Sequence, residues 1–98
     1  MATVNDFQIY RGEDVTVTVT ISGTNITGWN LKFYILQTTI SKTVGSGITI
    51  TDGVGGVFTI TLARADTLTL LSDKYAYDIW REDIGAYRKL GHGSITVK

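Results

Sequence analysis

Val15-Thr16-Val17-Thr18-Val19-Thr20-Ile21-Ser22 alternates an apolar β-branched residue with a hydroxyl at every step. Successive side chains of a strand point to opposite faces, so this period of two marks a strand with one face buried. Val15, Val17, Val19 and Ile21 are expected to face a core.

The neighbouring sequence repeats the theme. Residues 7–10 read as a first strand, and Arg11-Gly12-Glu13-Asp14 turns the chain. Residues 23–28 form a connection that leads into a strand over 29–37, with Trp29, Leu31, Phe33 and Ile35 on one face and Asn30, Lys32 and Tyr34 on the other. A short piece follows near 39–44, then Gly45-Ser46-Gly47. Ile48-Thr49-Ile50-Thr51 alternates again, and Asp52-Gly53 opens a glycine-rich hairpin turn into a strand over 57–62. In residues 74–81, Tyr75, Tyr77 and Ile79 share the core face, and Ala76, Asp78 and Trp80 the other. Glu82-Asp83-Ile84-Gly85 is a turn, and a last strand over 86–97 is interrupted at Gly91 and Gly93, the signature of a bulge.

One segment breaks the alternation. Residues 63–71 (ARADTLTLL) contain no glycine, and Asp66 is a candidate N-cap for a single helical turn. Leu68 and Leu71 would then plug one end of the core.

Composition agrees with sheet. The 98 residues include 16 Thr and 11 Ile, and β-branched side chains fit a pleated surface. Eleven glycines supply the turns that the absent prolines do not. Charged residues make only 18% of the chain, so hydroxyls cover much of the exterior. With no cysteine, neither a disulfide framework nor a thiolate metal site is possible. Nine basic and nine acidic side chains cancel, which removes the usual electrostatic footprint for nucleic acid. No apolar run approaches the ~20 residues of a membrane-spanning helix, and residues 1–20 hold no apolar block of signal-peptide length. The chain opens on Met1 and is expected to be complete, a single domain over 1–98.

Seven or eight short strands with one helical turn point to an all-β fold, an immunoglobulin-like antiparallel β-sandwich. Tyr75 or Tyr77 suits a tyrosine corner, and Trp29 is placed like a core tryptophan. A small barrel competes, and alternation does not separate the two.

Several features recur together: Phe7-x-Ile9-Tyr10-Arg11-Gly12-Glu13-Asp14, then Asn25-Ile26-Thr27-Gly28-Trp29 leading into Leu31-x-Phe33. Gly47-Ile48-Thr49-Ile50 and Gly55-Gly56-x-Phe58-x-Ile60-x-Leu62 follow. Asp66-Thr67-x-x-Leu70, Asp73-Lys74-Tyr75-Ala76-Tyr77-Asp78-Ile79 and Gly93-x-Ile95-x-Val97 close the set. Over nearly its whole length the chain resembles small immunoglobulin-like structural proteins of tailed bacteriophages, and is similar to the N-terminal domain of the phage upper baseplate protein family. That resemblance implies a non-enzymatic virion module, in the tail or baseplate or as a head decoration or connector. It further implies assembly in the host cytoplasm, other virion proteins as partners and a homo-oligomer, with no cofactor, nucleic acid or membrane involved.

Candidate chemistry is sparse. His92 is the only histidine, and Ser94 and Asp78 are the residues available to complete a nucleophilic set. No G-x-S-x-G turn accompanies them. Asp52, or Glu13 and Asp14 near Asp6, offers oxygen ligands without EF-hand spacing, and Asp52 reads first as a turn residue. The glycine-rich turns lack a following helix and Lys-Ser/Thr, so neither is a phosphate loop. Catalytic and metal-ligating residues are therefore expected to be none.

An interface is the better expectation. With Tyr77 and Ile79 inward, Trp80 faces outward, and Tyr34, Leu36 and Tyr87 share that exterior. Exposed aromatics in a cluster mark protein contacts. A bulge that rotates Trp80 inward is the competing reading. The same aromatics would also serve as a stacking platform in a carbohydrate-binding sandwich.

Overall fold

The alternating segment forms the strand its pattern requires, Val15–Ile21, with Val19 and Ile21 buried, Val15 and Val17 half-buried, and Thr16 and Thr18 exposed. The computed structural model describes residues 2, 3 and 6–98. Its strands, in chain order, are β1 (Ala2–Thr3), β2 (Phe7–Ile9), β3 (Val15–Ile21), β4 (Leu31–Ile35) and β5 (Ser41–Val44). They continue as β6 (Gly47–Asp52), β7 (Val57–Leu62), β8 (Lys74–Arg81) and β9 (Arg88–Val97), with helix α1 (Arg64–Thr67) between β7 and β8. The fold is all-β with one helical turn, and its sheet closes almost completely on itself in a sandwich-like arrangement.

The strands run in the order β1-β3-β7-β6-β5-β4-β8-β9-β2. β5 and β6 join through two register pairs alone, Thr43 with Gly47 and Val44 with Ile48, so the sheet folds over there. The two halves then face each other across one core. Phe58, Ile60 and Leu62 of β7 and Ile48 of β6 meet Leu31, Phe33 and Ile35 of β4 and Tyr77 and Ile79 of β8, all buried. Burying each such side chain contributes about 1.5–3 kcal/mol, which makes this the dominant stabilising term. Tyr77 sits at its centre, with ring centroids 5.6 Å from Phe7 and 5.4 Å from Phe33 in tilted geometry.

Two expectations about the sheet are corrected. Nine strands are present among the described residues rather than seven or eight, because Ala2 and Thr3 pair with the end of β3 as a short first strand. The pairing is also not wholly antiparallel: β2 runs parallel to β9, and β5 parallel to β6. The N-terminal segment causes the first exception, since it pairs with β3 in one half of the sheet and then with β9 in the other. The expected β-hairpin between β6 and β7 is present, and Asp52 acts as its turn residue, accepting a 3.0 Å hydrogen bond from the Gly55 N–H. Gly56 there has φ +75°, and a side chain would run into the Ile21 carbonyl, whose own N–H donates to the Gly56 oxygen at 2.8 Å. Only glycine permits that approach of backbone to backbone.

The helical turn exists but in a different register. Asp66 is not its N-cap. Ala63 occupies that position, and the Asp66 carboxylate reaches back from the third helical residue to accept the Ala63 N–H at 3.0 Å. Asp14, from the β2–β3 turn, accepts the Arg64 N–H at 2.6 Å. One of the unpaired N–H donors at the helix start is thus met by a carboxylate distant in sequence. The shift turns Thr67 and Leu70 into the core, while Leu68 and Leu71 stay exposed instead of plugging it. Thr67 is buried safely because its hydroxyl donates to the Glu13 carbonyl at 2.9 Å.

Candidate interaction surface

The outward face of β4, β8 and β9 carries the residues singled out from sequence. Strand register sets their order. Lys32 lies opposite Trp80, which lies opposite Lys89; one row along, Tyr34 lies opposite Asp78, which lies opposite His92. Trp80 therefore has a lysine as its cross-strand partner on each side. Trp80 and Tyr34 are half-buried, not sealed in the core.

A bulge does fall at this point, but it does not rotate Trp80 inward. Ile79 pairs with Gly91 and Trp80 with Lys89, so Leu90 on β9 is the extra residue. Leu90 packs against the core, and β8 keeps its alternation.

Tyr34 is held in place. Its hydroxyl donates to Glu82 Oε2 at 2.5 Å. That hydrogen bond is the largest reason its phenol is pushed up to about 12, with burial and the Glu82 charge adding to it. Asp78 holds the Lys89 ammonium at 3.0 Å.

At one end of this face the β3–β4 connection meets the β8–β9 turn. Trp29 is not part of β4, as the reading of residues 29–37 as one strand requires; it precedes it and packs half-buried at the rim of the core. Its N–H donates to the Ile26 carbonyl at 3.0 Å, closing a turn that ends before the strand starts. The Arg81 guanidinium covers its ring at 4.0 Å from the centroid and donates through Nε to Asp83 at 2.7 Å. Asp83 also accepts from the Asn30 side chain at 2.7 Å and from the Asn30 N–H at 3.2 Å. These donors, Arg81 first, hold the Asp83 carboxyl below its ordinary range. Trp29, Arg81, Tyr87, Arg88, Thr24 and the Gly85-Ala86 turn line a groove of about 360 Å³.

Of the four expected interface residues, Leu36 stands apart from the other three. Trp80 and Tyr34 lie together in mid-face on adjacent strands. Tyr87, 66% exposed at the groove end, lies near enough to Tyr34 for its charge to help raise that phenol. Leu36, exposed, lies at the opposite end of β4, where its N–H donates to the Ala76 carbonyl. The Trp29–Arg81 stack and the Tyr34–Glu82 bond were not visible in sequence, since each joins segments roughly 50 residues apart that only strand pairing brings together.

Asp78, His92 and Ser94 fall on the same face, with His92 directly opposite Asp78. Their geometry is not that of a nucleophilic set. Asp78 is engaged by Lys89, and His92 is exposed. The other carboxylates are likewise engaged: Glu13 accepts the Tyr10 N–H, Asp14 caps α1, and Asp6 accepts the Ser94 N–H. Among the described residues, no group of three or more His, Cys, Asp or Glu side chains is placed to hold a metal ion. Comparison of the chain with protein-family models and with curated proteins finds no match to either.

Proposed function

We propose that this protein is a non-enzymatic structural module of a tailed-phage virion, an immunoglobulin-like sandwich that joins or decorates particle components through protein–protein contacts. Its partners are other virion proteins and further copies of itself, and it is assembled in the host cytoplasm. The observation that carries the reading is the outward β4–β8–β9 face. Trp80 is half-buried there between Lys32 and Lys89, beside a Tyr34 fixed by Glu82. Aromatic side chains carried on paired strands, one of them tied by a hydrogen bond, lose little freedom when they are covered, which suits an interface.

Two features support the immunoglobulin-like assignment. The strand order divides into β1-β3-β7-β6 and β5-β4-β8-β9-β2, the arrangement of such sandwiches with the first strand split between sheets. The Tyr75 hydroxyl accepts the Leu71 N–H at 3.1 Å, a tie from a strand-opening tyrosine to upstream backbone.

Light scattering on the purified chain tests self-association, and sedimentation of particles tests incorporation. An oligomer that dissociates on Trp80→Ala, and again on Lys32→Glu, supports the reading. A chain that is monomeric at high concentration and absent from purified particles refutes it. A carbohydrate-binding module is the second reading, favoured by the exposure of Tyr87 near Trp29. Saturable glycan binding that is lost in Tyr87→Ala would establish it instead.

A further inference from the structure

We infer that the groove between the β3–β4 connection and the β8–β9 turn docks an acidic peptide segment of a partner protein, with Arg88 as its principal contact. The inference rests on the protein–protein reading above and names the chemistry of one partner.

Charge placement is the first argument. Arg81 and Arg88 are register partners where β8 ends and β9 begins. Like charges directly opposite on a sheet repel. Asp83 relieves Arg81 alone, and its oxygens are already taken by Arg81 and Asn30. Arg88 is exposed and lines the groove, and its side chain makes no ion pair, hydrogen bond or ring contact among the described residues. A carboxylate entering the groove meets one guanidinium with all its donors free and a second beside it. Paired N–H donors of arginine match the two oxygens of a carboxylate.

The walls supply the second argument. Tyr87 stands exposed beside Arg88, and Trp29 closes the other side. Tyr, Trp and Arg are the residue types that dominate binding hot spots. A groove of about 360 Å³ admits a few side chains of a peptide.

The same details disfavour other ligands. A sugar is held best between two open aromatic faces, but Arg81 covers the Trp29 ring, which also packs against the core, so Tyr87 alone is open to one. A nucleic acid needs several convergent cations. Lys89 is drawn to Asp78 and Lys42 to Asp66, which leaves the groove its two arginines.

The test is fluorescence anisotropy of a labelled, N-acetylated hexaglutamate amide titrated with the full chain. Saturable binding is expected, weakened about tenfold by Arg88→Gln, as loss of a charge-assisted pair requires. Tyr87→Ala should weaken it as well. Lys74→Gln removes the same charge at the opposite end of β8, where Lys74 pairs with Thr96, and should leave affinity unchanged. Amide NMR shifts should concentrate at Thr24, Gly85 and Ala86. No saturable binding, an equal loss in Lys74→Gln, or tighter binding of a hexagalacturonate or an oligothymidylate of equal charge overturns the inference. If the peptide fails to bind while Trp80→Ala still dissociates the oligomer, only the groove is misassigned. If the peptide binds and the chain is neither self-associating nor in particles, the virion reading fails and the groove stands.

Discussion

Gly93 lies directly across from Tyr77 in the β8–β9 pair, and a Cβ at position 93 would stand 2.6 Å from the Tyr77 hydroxyl oxygen and 2.8 Å from the ring carbon that bears it. The tyrosine ring occupies the space a side chain on β9 would fill. Phe7 and Phe33 pack against the same ring, so it has little room to retreat. Gly93→Ala is therefore expected to destabilise the fold by about 1–3 kcal/mol, the range for forcing extra volume into a packed core. Tyr77→Phe should not relieve the clash, because the ring carbons remain. Tyr77→Leu in the Gly93→Ala background should recover part of it. Urea denaturation of the single and double variants measures the coupling; a Gly93→Ala chain as stable as the parent contradicts the packing described.

Alkaline pH should act through two tyrosines. The phenols of Tyr34 and Tyr77 are both raised to about 12, the first mainly by its hydrogen bond to Glu82, the second by burial and then by the charge of Asp6. Unfolded tyrosine ionises near 10. Above that pH the unfolded chain releases protons that the folded chain keeps, so the unfolded state gains. The contribution of both groups is complete below about pH 10 and is lost as pH rises through about 12. Urea midpoints should fall across that window, in step with delayed tyrosinate absorbance. The Tyr34→Phe, Tyr77→Phe double variant should show a shallower fall. An equal slope in parent and double variant would mean that other groups govern alkaline unfolding.

Asp14 is expected to behave as a helix cap although it lies far from the helix in sequence. Its carboxylate accepts the Arg64 N–H, and Arg64 in turn donates from Nη1 to the Gly12 carbonyl at 3.0 Å, so the β2–β3 turn and α1 are joined twice. Asp14→Ala should destabilise by about 0.5–2 kcal/mol, as loss of a cap does. Asp14→Asn keeps an acceptor oxygen and should lose less. Thermal melts distinguish the two; equal losses would assign the effect to charge rather than to the hydrogen bond.

What the sequence discloses follows the range of each interaction. The period-two alternation of β3, β7 and β8 is a local property, and the inward faces read from it are the ones buried: Val19, Ile21, Phe58, Ile60, Leu62, Tyr77 and Ile79. The Gly91 signal for a bulge lands beside the inserted Leu90. Asp66 is the third helical residue rather than the cap because the helix starts at Arg64, whose N–H is met by Asp14, and nothing near residue 66 records that partner. Trp29 continues the alternation of Leu31, Phe33 and Ile35, but its hydrogen bond to Ile26 keeps it in a turn and the strand begins only after it. The outward placement of Trp80 and Tyr34 was legible by alternation. Their separation from Leu36 and the groove beside Tyr87 depend on strand register and loop conformation, which alternation does not encode.

Gln37 offers a change of opposite sign. It follows Leu36 in the β4–β5 turn with φ 66°, a left-handed conformation, and it is exposed. Non-glycine residues there incur roughly 1–2 kcal/mol from Cβ crowding the following carbonyl. Glycine removes that strain but loses more backbone freedom on folding, about 0.5–1 kcal/mol. The first term is the larger, so Gln37→Gly should stabilise by several tenths to about 1 kcal/mol. A β-branched residue worsens the crowding, so Gln37→Val should destabilise. The turn itself is anchored elsewhere, by the Thr38 hydroxyl donating to the Ile35 carbonyl at 2.8 Å and accepting the Ile40 N–H at 3.1 Å, so neither substitution removes its hydrogen bonds. Opposite shifts of the melting temperature in the two variants would confirm that backbone strain, not side-chain contact, sets the preference at this position; shifts of the same sign would refute it.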